Sequence, residues 1–319
     1  MKKVLAIVLA LVMIFSLAAC GKKDETKTYK VGVSIYQFDD NFMTLYRNEL
    51  ESYMKSLETD KVKYDITIVD GKNDMATQSE QIDTFITQNV DVIILNLVQT
   101  SSAEALVKKI VDAGIPLILI NREPAAENMT NNPTVCYVGA DARQSGTYQG
   151  EIVVGLDNHG DVNGDGTVSY IMIEGDPENT DAQYRTEYSI KALTDAGIKV
   201  ECLTDQVGNW KQEKGEEITA SALAQYGEKV EVVFCNNDAM ALGAAAAISA
   251  AGRTVGKDIY LLGVDALQEC QDMVKAGTMT GTVLNDHVGQ SHTAVDAAIK
   301  ALNGEPLENW YWVDYVKIQ

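Results

Sequence analysis

Past residue 30, short β-branched runs alternate with amphipathic segments almost without interruption, and few architectures accept that order. The strand-like runs are 31–36, 64–70, 90–97, 116–121, 134–138, 168–174, 199–204, 230–236, 259–264, 278–284 and 310–318. Between them the spacing predicts helices over 42–57, 77–89, 103–113, 181–196, 239–251 and 291–302. Val92-Ile93-Ile94-Leu95 is apolar at every position, as a strand covered on both faces must be. Repeated βα units of this kind predict an α/β fold of parallel sheets flanked by helices. A mature length of roughly 290 residues is long for one core and predicts two lobes.

In open parallel sheets, ligands bind beyond the carboxyl ends of the strands. Here those ends repeatedly carry Asp or Asn: Asp39-Asp40-Asn41, Asn96, Asn236-Asn237-Asp238, Asp265 and Asn285-Asp286. At any single position, capping the next helix explains such a residue, because Asp and Asn lead at the N-cap. Capping alone does not predict one at nearly every strand end in both halves. A cleft crowded with short carboxylates and amides suits a ligand covered in hydroxyls, since carboxylates accept and amides both accept and donate. Phe42 and Trp210 stand in polar surroundings and could offer flat rings to a sugar, or pack as a core Phe and a loop Trp.

A second motif lies at 161–169, Asp-Val-Asn-Gly-Asp-Gly-Thr-Val-Ser. Oxygen-bearing side chains fall at alternate positions from Asp161, and Gly166 stands where an EF-hand-type calcium loop turns sharply. The glutamate that should close such a loop is replaced by Met172, inside an apolar strand-like run. A remote residue would have to supply the last ligand, and such a site would hold a fold together.

The first 19 residues read as a secretory signal peptide: Lys2 and Lys3, an apolar stretch, then Leu17-Ala18-Ala19 before Cys20. Small residues before a cysteine form a lipoprotein box, so Cys20 is the expected lipidation site and 20–28 a tether. The apolar stretch falls short of the roughly 20 residues of a spanning helix, which disfavours an uncleaved anchor. The expected location is extracytoplasmic, lipid-anchored to the cell membrane. Of 26 basic and 46 acidic residues, Lys2 and Lys3 belong to the leader, so the mature net charge is near −22. That charge disfavours nucleic acid and anionic membrane as partners and leaves neutral ligands and divalent cations open. Cys136, Cys202, Cys235 and Cys270 show no metal spacing, and the first three sit in apolar runs expected to bury free thiols, with a disulfide left open by the oxidising compartment.

The chain has no P-loop, no GxGxxG after a strand and no GxSxG elbow. Its three histidines, His159, His287 and His292, have no candidate nucleophile beside them. An enzyme reading, a secreted glycosidase, would rest on paired carboxylates alone.

Several blocks carry a family resemblance: 36–43 (YQFDDNFM), 94–98 (ILNLV), 137–141 (YVGAD), 175–185 (GDPENTDAQYR), 236–240 (NNDAM), 263–267 (GVDAL) and 281–286 (GTVLND). In order and spacing, from about 31 to 304, the chain resembles the galactose/glucose-binding proteins of bacterial ABC sugar importers, of the periplasmic-binding-protein class. The resemblance implies a non-enzymatic, monomeric receptor of the type I fold, its two lobes joined by a three-segment hinge. One lobe would comprise 29–138 plus 283–308 and the other 139–282 plus 309–319. It implies sugar hydrogen bonds from Asp40, Asn96, Asp181, Arg185, Asn237, Asp265 and Asn285, with Phe42 and Trp210 against the ring faces. Asn179 stands where relatives carry histidine toward the exocyclic hydroxymethyl group, which leaves galactose and glucose both open. A structural calcium is implied at Asp161, Asn163, Asp165, Thr167, Ser169 and Glu231, with Ser169 replacing the relatives' glutamine. The implied partners are a neutral monosaccharide, D-galactose or D-glucose, and an ABC permease. A chemoreceptor or sensor kinase is the alternative partner. A sugar-responsive repressor of similar fold would need a DNA-binding segment where the leader stands.

Overall fold

The computed structural model describes residues 26–129 and 132–319. The expected leader, Cys20 and the first residues of the expected tether lie outside that range. The end of the tether does not: Lys27 and Thr28 open the first strand and pair with Val62 and Lys63.

Two parallel sheets form the two lobes. The first contains β1 (Lys27–Ile35), β2 (Val62–Asp70), β3 (Val92–Leu95), β4 (Leu117–Ile120), β5 (Val135–Gly139) and, far along the chain, β11 (Trp310–Trp312). Their order is β11-β5-β4-β3-β1-β2, every pair parallel. The second contains β6 (Val168–Glu174), β7 (Val200–Val207), β8 (Val232–Cys235) and β9 (Tyr260–Leu262) in the order β7-β6-β8-β9. Strands β10 (Thr282–Leu284) and β12 (Val316–Ile318) form an antiparallel pair. The bridges Leu262–Gly281 and Asp265–Leu284 join that pair to the second sheet.

Helices α1 (Asn41–Ser56), α2 (Met75–Thr87), α3 (Ala103–Asp112) and α9 (His287–Leu302) flank the first sheet. Helices α4 (Ala142–Val154), α5 (Thr180–Asp195), α6 (Gln212–Tyr226), α7 (Asp238–Ala250) and α8 (Gln268–Ala276) flank the second. Each sheet thus separates two apolar clusters, which is why its central strands are apolar at every position. Asp40, Asp74, Asp141, Asn179, Asn237 and Asp286 each accept a hydrogen bond from an amide of the helix they precede.

Two crossings differ from expectation. Residues 310–318, read as one strand of the second lobe, are two strands in different sheets. Trp310–Trp312 pairs with β5, and Trp310 and Trp312 stack 5.4 Å apart with Tyr137 edge-on to both. The chain then crosses: Val313 N–H donates to the Gly139 carbonyl and Tyr315 N–H to Gln144 Oε1. Residues 283–284, assigned to the first lobe, are held in the second by β12.

Helices α4, α6 and α8 were not read from amphipathic spacing. In α4 and α6, glycines take the place of apolar residues at helix contacts. Gly146 and Gly150 share one face of α4, and a Cβ on Gly150 would come 2.3 Å from the Ser189 carbonyl oxygen of α5. Gly215 of α6 and Gly243 of α7 let those two backbones meet in the same way.

Candidate ligand-binding site

Between the carboxyl ends of the two sheets lies a small cavity walled by both lobes. Eight of the ten ligand residues expected from sequence line it: Asp40, Phe42, Asp181, Arg185, Trp210, Asn237, Asp265 and Asn285. Tyr36, Met43 and Asn121 also line it and were not anticipated.

Asp40 does two jobs. Its Oδ1 caps α1 at Met43 N–H, and its Oδ2 accepts from the Tyr36 hydroxyl at 2.7 Å. The strand-end carboxylate is therefore both a cap and a site group. Asn121 follows β4 in a left-handed conformation (φ +62°) and accepts from Asn96 Nδ2 at 3.1 Å. Asn96 itself is fully buried behind the cavity. It also donates to the Ile120 carbonyl and accepts from Tyr36 N–H, so it positions Tyr36 and Asn121 and does not line the cavity. Position 121 carries the only sequence signal for this role, an Asn closing a strand.

On the second lobe, Asp181 is buried in the first turn of α5, and its Oδ1 has no hydrogen-bond partner. Burial pushes its carboxyl up to about 6, with Arg185 opposing and Glu123 adding to the rise. Arg185 donates to the Asn236 carbonyl at 2.8 Å and the Tyr315 hydroxyl at 3.1 Å, while its Nε stays unpartnered. Asn179, expected to contact ligand, caps α5 through Oδ1 to Asp181 N–H and does not line the cavity. The N-cap geometry turns that oxygen onto the helix.

Trp210 rests on Gly175, 5.7 Å from the Arg185 guanidinium. Asn209 and Trp210 are both left-handed (φ +49° and +66°), an uncommon state for a bulky side chain and one that collects at functional sites. Asn237 caps α7 through Oδ1 and donates from Nδ2 to the Trp210 carbonyl. Asp265, also at positive φ (+119°), accepts from Asn285 Nδ2 at 3.3 Å. Burial raises its carboxyl well above the usual range, with Arg185 opposing.

The lobes touch beside the cavity. Thr100 Oγ1 donates to the Glu178 carbonyl and Thr180 Oγ1 to the Glu123 carbonyl. Arg122 faces Asp176 at 3.5 Å, and Arg143 pairs with Glu123 at 3.3 Å.

The six residues expected to hold calcium form a compact unit away from this cavity. Asp161 accepts from the amides of Gly164 and Gly166, Asn163 from Asp165, and Asp165 from Thr167. Glu231, fully buried, accepts from Val162 and Asn163 through Oε1 and from Ser169 through Oε2. The donors are oxygens of the right kind, but they are turned onto loop amides. Among the described residues no group of three or more His, Cys, Asp or Glu converges as a metal site.

All four described cysteines are free. Cys136, Cys235 and Cys270 are buried, whereas Cys202 is exposed on the edge strand β7, which has no neighbour beyond it.

Two lobes meeting over a polar, aromatic-walled cavity fit a receptor that captures a solute between domains. The chain belongs to the periplasmic binding proteins: the model of the periplasmic binding protein domain matches residues 31–306. It is 32% identical over 280 residues to the D-galactose/methyl-galactoside binding periplasmic protein of Haemophilus influenzae, covering 86% of this chain and 82% of that one. A Rhizobium meliloti protein described as rhizopine-binding is 35% identical over 288 residues, covering 89% and 88%. Among solved structures, an ABC transporter solute binding protein from Bacillus halodurans with bound myo-inositol superposes with a TM-score of 0.79 at 28% identity, covering 94% and 96%. The chain is a sugar-binding protein of the ABC-importer class and not an enzyme.

Proposed function

We propose that this protein captures a neutral monosaccharide, D-galactose or D-glucose, between its lobes and presents the closed form to an ABC permease. One observation supports the reading above the rest. Phe42 of one lobe and Trp210 of the other wall a cavity whose polar groups are short carboxylates, amides and one arginine. Three carboxylates against a single arginine favour a ligand with hydroxyl donors over a phosphorylated one. The galactose-binding relative and the myo-inositol-bound neighbour support a ring polyol.

Calorimetry against hexoses, pentoses, myo-inositol and a hexose phosphate tests this. A neutral hexose should bind well below millimolar, and the phosphate should not. Tight binding of the phosphate alone, or no sugar bound below millimolar, refutes it. A sugar-sensing subunit for a chemoreceptor or sensor kinase would use the same chemistry. Pull-down by the closed, sugar-loaded form separates the two.

Attachment to the membrane through lipid on Cys20 belongs to the same reading. Mass spectrometry of the mature N-terminus tests it, and a chain still carrying residues 1–19 would refute it. Calcium at the 161–169 loop is a separate proposal, favoured by the oxygen-only donors and the succession of Asx turns, with Glu231 beneath. Binding would require Glu231 to give up loop amides.

A further inference from the structure

Asp265 reaches the cavity from a turn that is costly to hold. Asp265 and Ala266 both stand at positive φ (+119° and +53°), successive residues in backbone regions that L side chains rarely adopt. Such conformations persist only where the surroundings over-determine them. Here three successive amides of the turn each have an acceptor. Asp265 N–H donates to the Val283 carbonyl, Ala266 N–H to Thr282 Oγ1 at 3.3 Å, and Leu267 N–H to Asp238 Oδ2 at 2.8 Å. The Ala266 carbonyl accepts from Gln271 Nε2 at 2.8 Å.

Two of these acceptors work as one unit. The Thr282 hydroxyl donates to Asp238 Oδ1 at 2.7 Å while accepting from Ala266. Asp238 thus holds Leu267 directly and Ala266 through Thr282. Both side chains are fully buried, and neither lines the cavity. A carboxylate in the first turn of a helix ordinarily complements the helix dipole and needs no partner elsewhere. Asp238 opens α7, yet both of its oxygens are taken by other elements, the 265–267 turn and β10. Gly263 leaves the room for it, since a Cβ there would come 2.2 Å from Asp238 Oδ1. All three joined elements carry cavity residues: Asn237 just before α7, Asp265 in the turn and Asn285 just after β10.

Resting on the sugar reading above, we propose that Asp238 and Thr282 are positioning residues for ligand binding. They hold the 265–267 turn in its positive-φ form, and that form keeps the Asp265 carboxyl in the cavity beside Asn285. A binding group keeps its geometry only when the residues behind it are locked. Without the Thr282 hydroxyl, the Ala266 amide and Asp238 Oδ1 lose their partner together, and the turn can relax toward negative φ. Asp265 then moves away from Asn285 and from the ligand, while Arg185 and Trp210, on other elements, stay in place.

Thr282→Val removes the hydroxyl at nearly constant shape, and Thr282→Ser keeps it. Calorimetry with the sugar that wild type binds should show at least tenfold weaker binding in Thr282→Val and binding within about threefold of wild type in Thr282→Ser. In an Asp265→Ala background, Thr282→Val should cost no further affinity, because the group it positions is gone. An equal loss in that background assigns the effect to general loosening and overturns the proposal, as does wild-type affinity in Thr282→Val. Asp238→Asn guards against a Thr282→Val that fails to fold. It offers one oxygen to two donors and should weaken the sugar severalfold; unchanged binding overturns the proposal. Hydrogen exchange of the Ala266 and Leu267 amides in sugar-free protein gives a reading independent of ligand. Exchange should quicken tenfold or more in Thr282→Val, and unchanged protection overturns the clamp. A wild type that binds no sugar overturns the sugar reading itself, and the role in binding falls with it.

Discussion

Gly175→Ala puts the aromatic wall to a direct test. A Cβ at Gly175 would stand 2.1 Å from Cη2 and Cζ2 of Trp210, where carbons need about 3.5–4.0 Å, so the ring must retreat by about 1.5 Å. The backbone cannot give instead. Gly175 N–H donates to Asn236 Oδ1, and the adjacent Glu174 carbonyl accepts from Gly208. Trp210 is half-buried and borders the cavity, so the retreat is local and global stability should change little. Ligand contact changes more. If the ring uncovers on the order of 50–100 Å² of apolar surface in the complex, the loss at about 25 cal/mol/Å² is roughly 1–2.5 kcal/mol. That corresponds to about five- to seventyfold in Kd. Calorimetry with the sugar that wild type binds gives the affinity, and thermal unfolding checks the fold. Gly155→Ala is the control, because a Cβ there meets only the Glu151 and Ile152 carbonyl oxygens at 3.4 Å and 3.5 Å. Wild-type affinity in Gly175→Ala would show that Trp210 does not contact the ligand.

Three further outcomes follow from the same geometry. Gly150→Ala forces α4 off the Ser189 carbonyl and should cost about 1–3 kcal/mol, read as a lower urea midpoint; an unchanged midpoint would refute the close helix contact. Glu231→Ala leaves the buried Ser169 amide and the half-buried Val162 and Asn163 amides without their acceptor and should destabilise by about 1–3 kcal/mol. Wild type measured in chelator and then in calcium decides the metal proposal: a midpoint that calcium does not raise removes it. For Asp181, the folded carboxyl at about 6 lies above its unfolded value. This group's contribution to folded stability is therefore fully present below the unfolded value and is lost as pH rises through about 6. Ligand hydroxyls need the ionised carboxylate, so sugar affinity should fall as pH drops below about 6 and be flat above it. Asp181→Asn should abolish that slope, and a slope that persists in the variant assigns it elsewhere.

The parallel sheets were legible because a strand covered on both faces must be apolar at every position, and Val92–Leu95 is. The strand-end Asp and Asn residues were legible as a set, although no single one could be told from a cap. Asp40 shows why, since one oxygen caps while the other meets Tyr36 in the cavity. Asn96 and Asn179 stand just outside the cavity lining. Asn96 Oδ1 accepts from Tyr36 N–H, 60 residues away in sequence, and Asn179 Oδ1 from Asp181 N–H in the helix it caps. Helices α4 and α6 escaped because their contacts are made by glycines, which carry no apolar periodicity. The split of 310–318 between sheets was hidden as well. Both halves are strand-like, and only the pairing of Trp310 with Tyr137 and of Ile318 with Thr282 separates them.

The buried charges suggest why closure and capture are one event. Within the protein, Asp181 Oδ1 and Arg185 Nε find no hydrogen-bond partner, and burial holds the Asp265 carboxyl well above its usual range. Opening the lobes would return water to all three and relieve that cost. A polyol does the same without opening, because its hydroxyls can donate to the carboxylates and accept from the guanidinium. The groups that penalise an empty closed state are thus the groups that reward a filled one. Differential contact of this kind is what allows a ligand to shift a two-state equilibrium. The ties beside the cavity are few: two threonine hydroxyls, the Arg122–Asp176 pair and the Arg143–Glu123 pair. A ligand that bridges both lobes adds its own contacts to these ties and favours the closed state.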